Sequence, residues 1–289
     1  MGLSSVPAAS TPKLWATSDV HVSHESNRAF VTGLSERPGD WLVLGGDVCE
    51  SADDLAWTLD ELAPKFARMF WVPGNHELWS LRPDEPRGVA KYEQLVSVCR
   101  ARGVVTPEDP YVLFPRGVDA PTAAGAGEEG GPPLYIAPLF LLYDYSFRPP
   151  EVAREDALRW ARESGIRCAD EQFLFPEPYA TREAWCDARV RDAEARLTAL
   201  GPEATFVLVN HFPLRIRDVI LPRVPRFSLW CGTTRTEDWA VRFRARAVVY
   251  GHLHVRRRTA EGPCEFHEVS LGYPPQWSGD PDAQLRRIL

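Results

Sequence analysis

Short apolar runs recur along the chain, and each ends in a polar step that contains or adjoins a metal-binding residue type. Residues 13–18, 41–44 and 69–72 read as three strands. Between the second and third, Ala52–Leu62 places Leu55, Leu59 and Leu62 at helical spacing. Strand, helix and strand at these lengths predict βαβ crossovers and a parallel core. A second group of strands lies late, at Thr205–Val209, Ala245–Tyr250 and 265–271, the last pairing with a strand that starts near Val255.

The middle of the chain has a different character. Residues 116–133 are low in complexity and predict a mobile loop. Residues 134–142 read as an apolar strand. Residues 151–165 and 181–200 read as helices, the second capped by Thr181 and stopped at Gly201-Pro202. Residues 143–150 are aromatic and irregular; they either line a pocket or pack on the core. Residues 1–12 read as a flexible tail, without the basic and apolar regions of a signal peptide. The polar ends of the early and late strands share one chemistry, so they must meet in space. That predicts a single domain over residues 13–289 with a helical segment inserted at about 143–200.

Composition changes little in this picture. Of 289 residues, 44% are hydrophobic and 25% charged, as in ordinary globular proteins. A net charge of −7 gives no reason to expect nucleic-acid binding. No apolar run approaches the roughly 20 residues that span a membrane. The six cysteines are scattered without a Cys-x-x-Cys pair, which predicts reduced thiols and a cytoplasmic protein. Cys49 follows Asp47 closely but is not counted as a ligand.

Five motifs carry the chemistry: Asp19-Val20-His21, Gly45-Gly46-Asp47, Gly74-Asn75-His76-Glu77, Asn210-His211 and Gly251-His252-Leu253-His254. They hold five of the seven histidines. Imidazole, carboxylate and amide oxygen without thiolate suit Mn, Fe or Zn. Residues two apart at a strand end point to one side, so Asp19 with His21, and His252 with His254, can serve one centre. The glycines let the backbone turn sharply and come close. Each motif is weak alone. Five in order, each after an apolar run, predict one shared metal centre.

This set resembles the signature of calcineurin-like metallophosphoesterases. The resemblance spans residues 19–254 and implies an α/β fold, an αββα sandwich of two mixed β-sheets flanked by helices, with two metal ions. Carried over by motif, Asp19, His21, Asp47 and His254 bind the first ion. Asp47, Asn75, His211 and His252 bind the second, with Asp47 bridging. His76 faces the substrate, stabilises the transition state and protonates the leaving oxygen. Several branches carry an Asp three residues after the bridging Asp; here Glu50 stands there and is the candidate partner of His76. Protein Ser/Thr phosphatases of this family carry an Arg soon after the second motif, and its absence lowers that reading.

Four further stretches, 71–79, 138–147, 227–234 and 269–274, are similar to those of actinobacterial phosphopantetheinyl hydrolases. That similarity implies removal of 4′-phosphopantetheine from a holo acyl or peptidyl carrier protein by hydrolysis of a phosphodiester. A nucleotide or another small phosphoester is the alternative substrate, and a non-catalytic scaffold the reading from another class. Basic segments follow two motifs, with Arg215, Arg217, Arg223 and Arg226 after His211 and Arg256, Arg257 and Arg258 after His254. They are candidates for docking an acidic carrier protein. Arg215 and Tyr143 are candidate substrate contacts. His24 either touches a leaving group or caps the following helix. His267 reads as structural.

Overall fold

The computed structural model describes residues 11–115 and 131–289. The expected tail, except for its last two residues, and most of the expected loop at 116–133 lie outside the described residues. The first half runs β1 (Leu14–Thr17), α1 (Glu25–Gly33), β2 (Arg37–Leu44), α2 (Ala52–Leu62), β3 (Phe66–Trp71), α3 (Asn75–Leu78), α4 (Gly88–Arg100), β4 (Val112–Leu113) and β5 (Leu134–Pro138). The rest runs α5 (Ala157–Glu163), α6 (Asp170–Phe173), α7 (Arg182–Ala199), β6 (Thr205–Val209), α8 (Trp239–Arg242), β7 (Ala245–Tyr250), β8 (Arg257–Glu261), β9 (Cys264–Glu268) and β10 (Arg286–Arg287).

The strands form two mixed sheets, ordered β10-β1-β2-β3 and β4-β5-β6-β7-β9-β8. Within each, the central strands are parallel, and β10, β4 and β8 are antiparallel at the edges. Alternation along the strands explains the sandwich. Leu14, Trp41, Val43 and Phe70 of the first sheet share one buried cluster with Ile136, Val207 and Val249 of the second. Their neighbours Leu42, Leu44, Trp71, Leu208 and Tyr250 point the other way, into a cluster shared with the helices. Strands buried on both faces therefore read as continuous apolar runs. No helix among the described residues is long and apolar enough to cross a membrane.

The helices follow their predicted signals in part. Ser51 caps α2 by accepting from Asp54 N at 3.1 Å, and Leu55, Leu59 and Leu62 are buried. Thr181 caps α7 by accepting from Ala184 N at 3.1 Å. Three expectations were too long, and one of them, the strand expected at 265–271, ends at Glu268. The strand expected at 134–142 ends at Pro138, because Leu141 N donates to the Asn210 side chain at 3.0 Å and leaves the ladder. The helix expected at 151–165 is α5 alone, preceded by a 3-10 turn at Arg154–Asp156.

Candidate dinuclear metal centre

Register brings the motif loops together. Thr17 pairs with Leu44 and Leu44 with Trp71, so the loops after β1, β2 and β3 leave one sheet end side by side. Val209 pairs with Val249 in the other sheet, which aligns the loops of His211 and His252. A bridge between Ser18 and Ser270 joins the two sheets at this end. The centre forms at that seam.

The candidate ligand pairs do not lie in strands. Asp19, His21, Asp47, His252 and His254 have φ of 52°, 45°, 50°, 71° and 53°, in the left-handed region. Such backbone costs about 1–3 kcal/mol per residue and persists where packing over-determines it. Asp19 and His21 thus share a side through a turn, which corrects the expectation of strand alternation. Glycine is required where loops touch. A Cβ on Gly74 would strike the Asp47 carboxylate, and one on Gly251 would strike the side chains of Ser18 and Asp19.

Two donor groups result. Ligand atoms of Asp19, His21 and His254 lie within 4.8 Å of one another, and so do those of Asp47, His211 and His252. Asn75 donates its Nδ2 to Asp170 Oδ1 at 2.9 Å and leaves a buried Oδ1 without a hydrogen-bond partner. His21 Nδ1 and the Nε2 atoms of His211 and His252 are also buried without one, although His211 Nε2 lies 3.3 Å from Asp47 Oδ2. Buried polar atoms are normally paired, and convergent unpartnered nitrogen and oxygen atoms of this kind fit bound cations.

Among the side chains of the centre, protons balance the acids. Burial opposes a charge on His211, but Asp47 outweighs it and raises the pKa to about 10. Burial is likewise outweighed at His254, where Asp19 raises the pKa to about 9. Burial and His211 lower His252 to about 3, and burial lowers His21 to about 4. Each half holds one imidazolium against one carboxylate.

Surrounding groups fix the donors. His211 Nδ1 donates to Gly45 O at 3.0 Å and turns Nε2 inward. His254 Nδ1 meets Gln276 Oε1 at 2.8 Å. Asp19 Oδ2 accepts from the hydroxyls of Ser18 (2.6 Å) and Ser270 (2.8 Å). Glu77 accepts from the backbone N–H groups of Asp47, Val48 and Gly74 at 2.8–2.9 Å, so its role is to order these loops. Burial and the nearby Asp47 push its pKa up to about 8.

His76 stands beside the donors. Its Nδ1 lies 3.0 Å from Glu50 Oε1, and its ring packs on Trp79 with centroids 3.7 Å apart. Burial opposes its charge, yet Asp47 and Glu50 hold its pKa above the ordinary value. It faces a cavity of about 210 Å³ lined also by Asp47, Asn75, Phe227, His252, His254 and Tyr273.

The seven expected ligands, His76 and Glu50 therefore come together, whereas two of the three expected substrate contacts are corrected. Tyr143 is 0% exposed and packs against Tyr145 and Phe212, so the aromatic stretch builds core at this position. Arg215 is buried, forks onto Asp218 at 2.7 and 2.9 Å, pairs with Glu261 and lies over the Phe266 ring. Of the other arginines, Arg217 pairs with Glu261, Arg226 with Glu163, and Arg258 with Glu265. His24 is exposed, makes no side-chain cap hydrogen bond and lies edge-on to Tyr273, a cavity residue, with ring centroids 5.7 Å apart. His267 is buried in β9, as expected.

Sequence reasoning missed Asp170, Phe227, Tyr273 and Gln276. Tyr273 stacks on His21 with centroids 4.7 Å apart, and its place after a strand and Gly272, within the stretch 269–274, was the hint that it stood near the centre. Asp170 carries no motif at all.

Comparisons with known proteins bear on this site. The sequence model described as calcineurin-like phosphoesterase matches residues 12–256. A Mycobacterium tuberculosis protein named acyl-carrier-protein phosphodiesterase PptH is 44% identical over 283 residues, 96% of this chain and 83% of that one. The crystal structure of phosphopantetheinyl hydrolase (PptH) from Mycobacterium tuberculosis aligns with a TM-score of 0.87 at 44% identity, covering 98% of this chain and 97% of that one.

Proposed function

The chain belongs to the calcineurin-like phosphoesterase family, and we propose that it hydrolyses the phosphodiester joining 4′-phosphopantetheine to the serine of a holo acyl or peptidyl carrier protein. The observation that carries this reading is 44% identity, across 96% of the chain, to a protein named acyl-carrier-protein phosphodiesterase. The intact donor set beside His76 supports catalysis over a scaffold role. Free, mostly buried cysteines accord with a cytoplasmic enzyme.

Asp19, His21, Asp47 and His254 would hold one cation, and Asp47, Asn75, His211 and His252 the other, with Asp47 shared. These donors favour Mn or Fe and also admit Zn. When bound, the pair supplies Lewis acidity toward the phosphoryl oxygens and lowers the pKa of water. The chain's own residues do the rest. Glu50 takes the Nδ1 proton of His76 in a hydrogen bond, which leaves the Nε2 proton on the cavity side. Water supplies the oxygen that joins phosphorus, the bond from phosphorus to the serine oxygen breaks, and His76 gives its Nε2 proton to that oxygen. Phe227 and Tyr273 wall the cavity and limit water.

The test is the intact mass of a holo carrier protein after incubation with Mn- or Fe-loaded enzyme. Conversion to the apo form supports the reading. An unchanged mass, with a chromogenic phosphodiester cleaved in parallel, keeps the phosphoesterase chemistry and redirects the search to nucleotides and other small phosphoesters. His76→Ala should keep its metal and lose roughly 10²–10⁴-fold in rate, most with poor leaving groups. Equal losses for good and poor leaving groups would remove His76 as the proton donor.

A further inference from the structure

A second cavity, of about 590 Å³, opens beside the centre. Leu158 of α5, Ile166 and Trp230 give it an apolar wall, and Arg162, Arg167 and Gln172 are exposed around it. Neither arginine has an ion-pair partner among the described residues, unlike most of those near the motifs.

Two links join it to the centre. Phe227 lines the first cavity, and its ring centroid lies 5.5 Å from that of Trp230, which lines the second. Asp170 holds Asn75 of the centre, while its chain neighbours Ala169 and Glu171 line the second cavity. Glu171 fixes this side of the second cavity. Glu171 Oε1 accepts from Trp230 Nε1 at 2.8 Å and Tyr145 OH at 2.6 Å, and Oε2 accepts from Arg182 at 3.0 Å.

We propose that this second cavity receives the pantetheine arm of the substrate, an inference that rests on the phosphopantetheine reading above. Size requires a second chamber. The first cavity, at about 210 Å³, suits a phosphoryl group. It lies below the roughly 300–1,000 Å³ of small-molecule sites, a range that includes the second. Chemistry agrees. The arm is uncharged and extended, with a dimethyl-bearing carbon, a hydroxyl, two amides and a terminal thiol. Leu158, Ile166 and Trp230 offer apolar surface to its carbons. The guanidinium groups of Arg162 and Arg167 and the amide of Gln172 offer donors to its carbonyls. A phosphate seated at the centre would send the arm past Phe227 into this space.

Ile166→Glu puts a charge into the apolar wall, and Gln172→Trp fills the cavity from an exposed position. With holo carrier protein, each should lower kcat/KM about tenfold or more, mainly through KM. Bis(p-nitrophenyl) phosphate, which has no arm, should be hydrolysed at the wild-type rate. A short serine peptide bearing 4′-phosphopantetheine should lose as much as the protein. A loss with the protein alone would assign the cavity to the carrier protein surface and overturn the proposal. Unchanged rates on both pantetheine substrates, or equal losses on all three, would overturn it too.

A second measurement does not depend on turnover. Cys168 lines this cavity and is the half-buried member of six otherwise buried cysteines. Saturating S-methylated 4′-phosphopantetheine should slow its alkylation by N-ethylmaleimide in the wild type, and much less in Ile166→Glu. Absence of protection overturns the proposal. Failure of the wild type to convert holo carrier protein, with protection retained, would overturn the functional reading and leave the cavity assignment standing.

Discussion

The two halves of the centre use similar donors but lean on different parts of the chain. In the first, Asp19 takes hydroxyls from Ser18 and Ser270, and His254 leans on Gln276. Two of these three groups, Ser270 and Gln276, come from the chain's last stretch, and the support reaches solvent at Gln276, which is exposed. In the second half, His211 is tied to Gly45 O and Asn75 to Asp170 of α6. There His211 and Asp170 are both 0% exposed. The same ligand chemistry is therefore held in the first half by the buried Ser18 and Ser270 together with one group that water can replace, Gln276, and in the second by groups that it cannot. Removing a partner should cost more in the dry half, because a buried polar group left unpaired bears its whole desolvation penalty.

The residue between the halves gives the largest effect. Asp47 accepts from His76 N through Oδ1 and faces His211 through Oδ2. Asp47→Asn should remain folded by its thermal melt and lose turnover to background. Full activity in that variant would break the assignment of both halves at once.

A pH titration tests the halves in parallel. Burial is outweighed by Asp19 at His254, raised to about 9, and by Asp47 at His211, raised to about 10. Both imidazoles hold their proton in the metal-free chain below those values, and a ligand nitrogen must give it up. Metal affinity should rise with pH up to about pH 9, by about tenfold per unit for each proton displaced. Metal titrations at several values from pH 6.5 to 8.5, with proton release followed in parallel, read this directly. A flat affinity would mean that these two imidazoles are not ligands.

Asp170→Ala addresses the dry half alone. It frees Asn75 Nδ2 and leaves the Trp79 indole N–H, which Asp170 accepts at 2.7 Å, unpaired. Partners that orient metal ligands typically account for 10–100-fold in metal affinity or activity. Metal content should fall from two ions toward one per chain, with a loss of activity of about that size. Two tightly held ions and full activity would show that Asn75 needs no such support.

Much of the centre was legible because strand and motif coincide. Thr205–Val209 and Ala245–Tyr250 are strands at the expected bounds, and the residues after them are where the donors stand. The helix from Thr181 was legible because its cap is local. What failed to show depends on partners far along the chain. Asp170 matters because Asn75, 95 positions earlier, reaches it. Arg215 read as a free cation because Glu261, 46 positions later, closes its ion pair, while the local partner Asp218 completes its fork. Residues 139–142 read as strand because nothing in their pattern reveals that the Asn210 side chain captures Leu141 N. The left-handed backbone of the ligands was hidden for a related reason, since packing of five loops against one another imposes it.

Gln276→Ala sharpens the contrast from the wet side and should have the smallest effect. Its carbonyl oxygen meets His254 Nδ1 at 2.8 Å and also accepts from Tyr273 N at 2.7 Å. Both donors lie near solvent, so water can take the place of that oxygen with little loss. Metal affinity of the first half should weaken by about tenfold or less, the low end for such partners. Metal content at saturation should stay at two ions per chain. The comparison with Asp170→Ala is best made in one series, with metal titration and thermal melting of both variants. If Gln276→Ala lost an ion as readily as Asp170→Ala, solvent access would not be what separates the halves, and the geometry imposed on His254 would be.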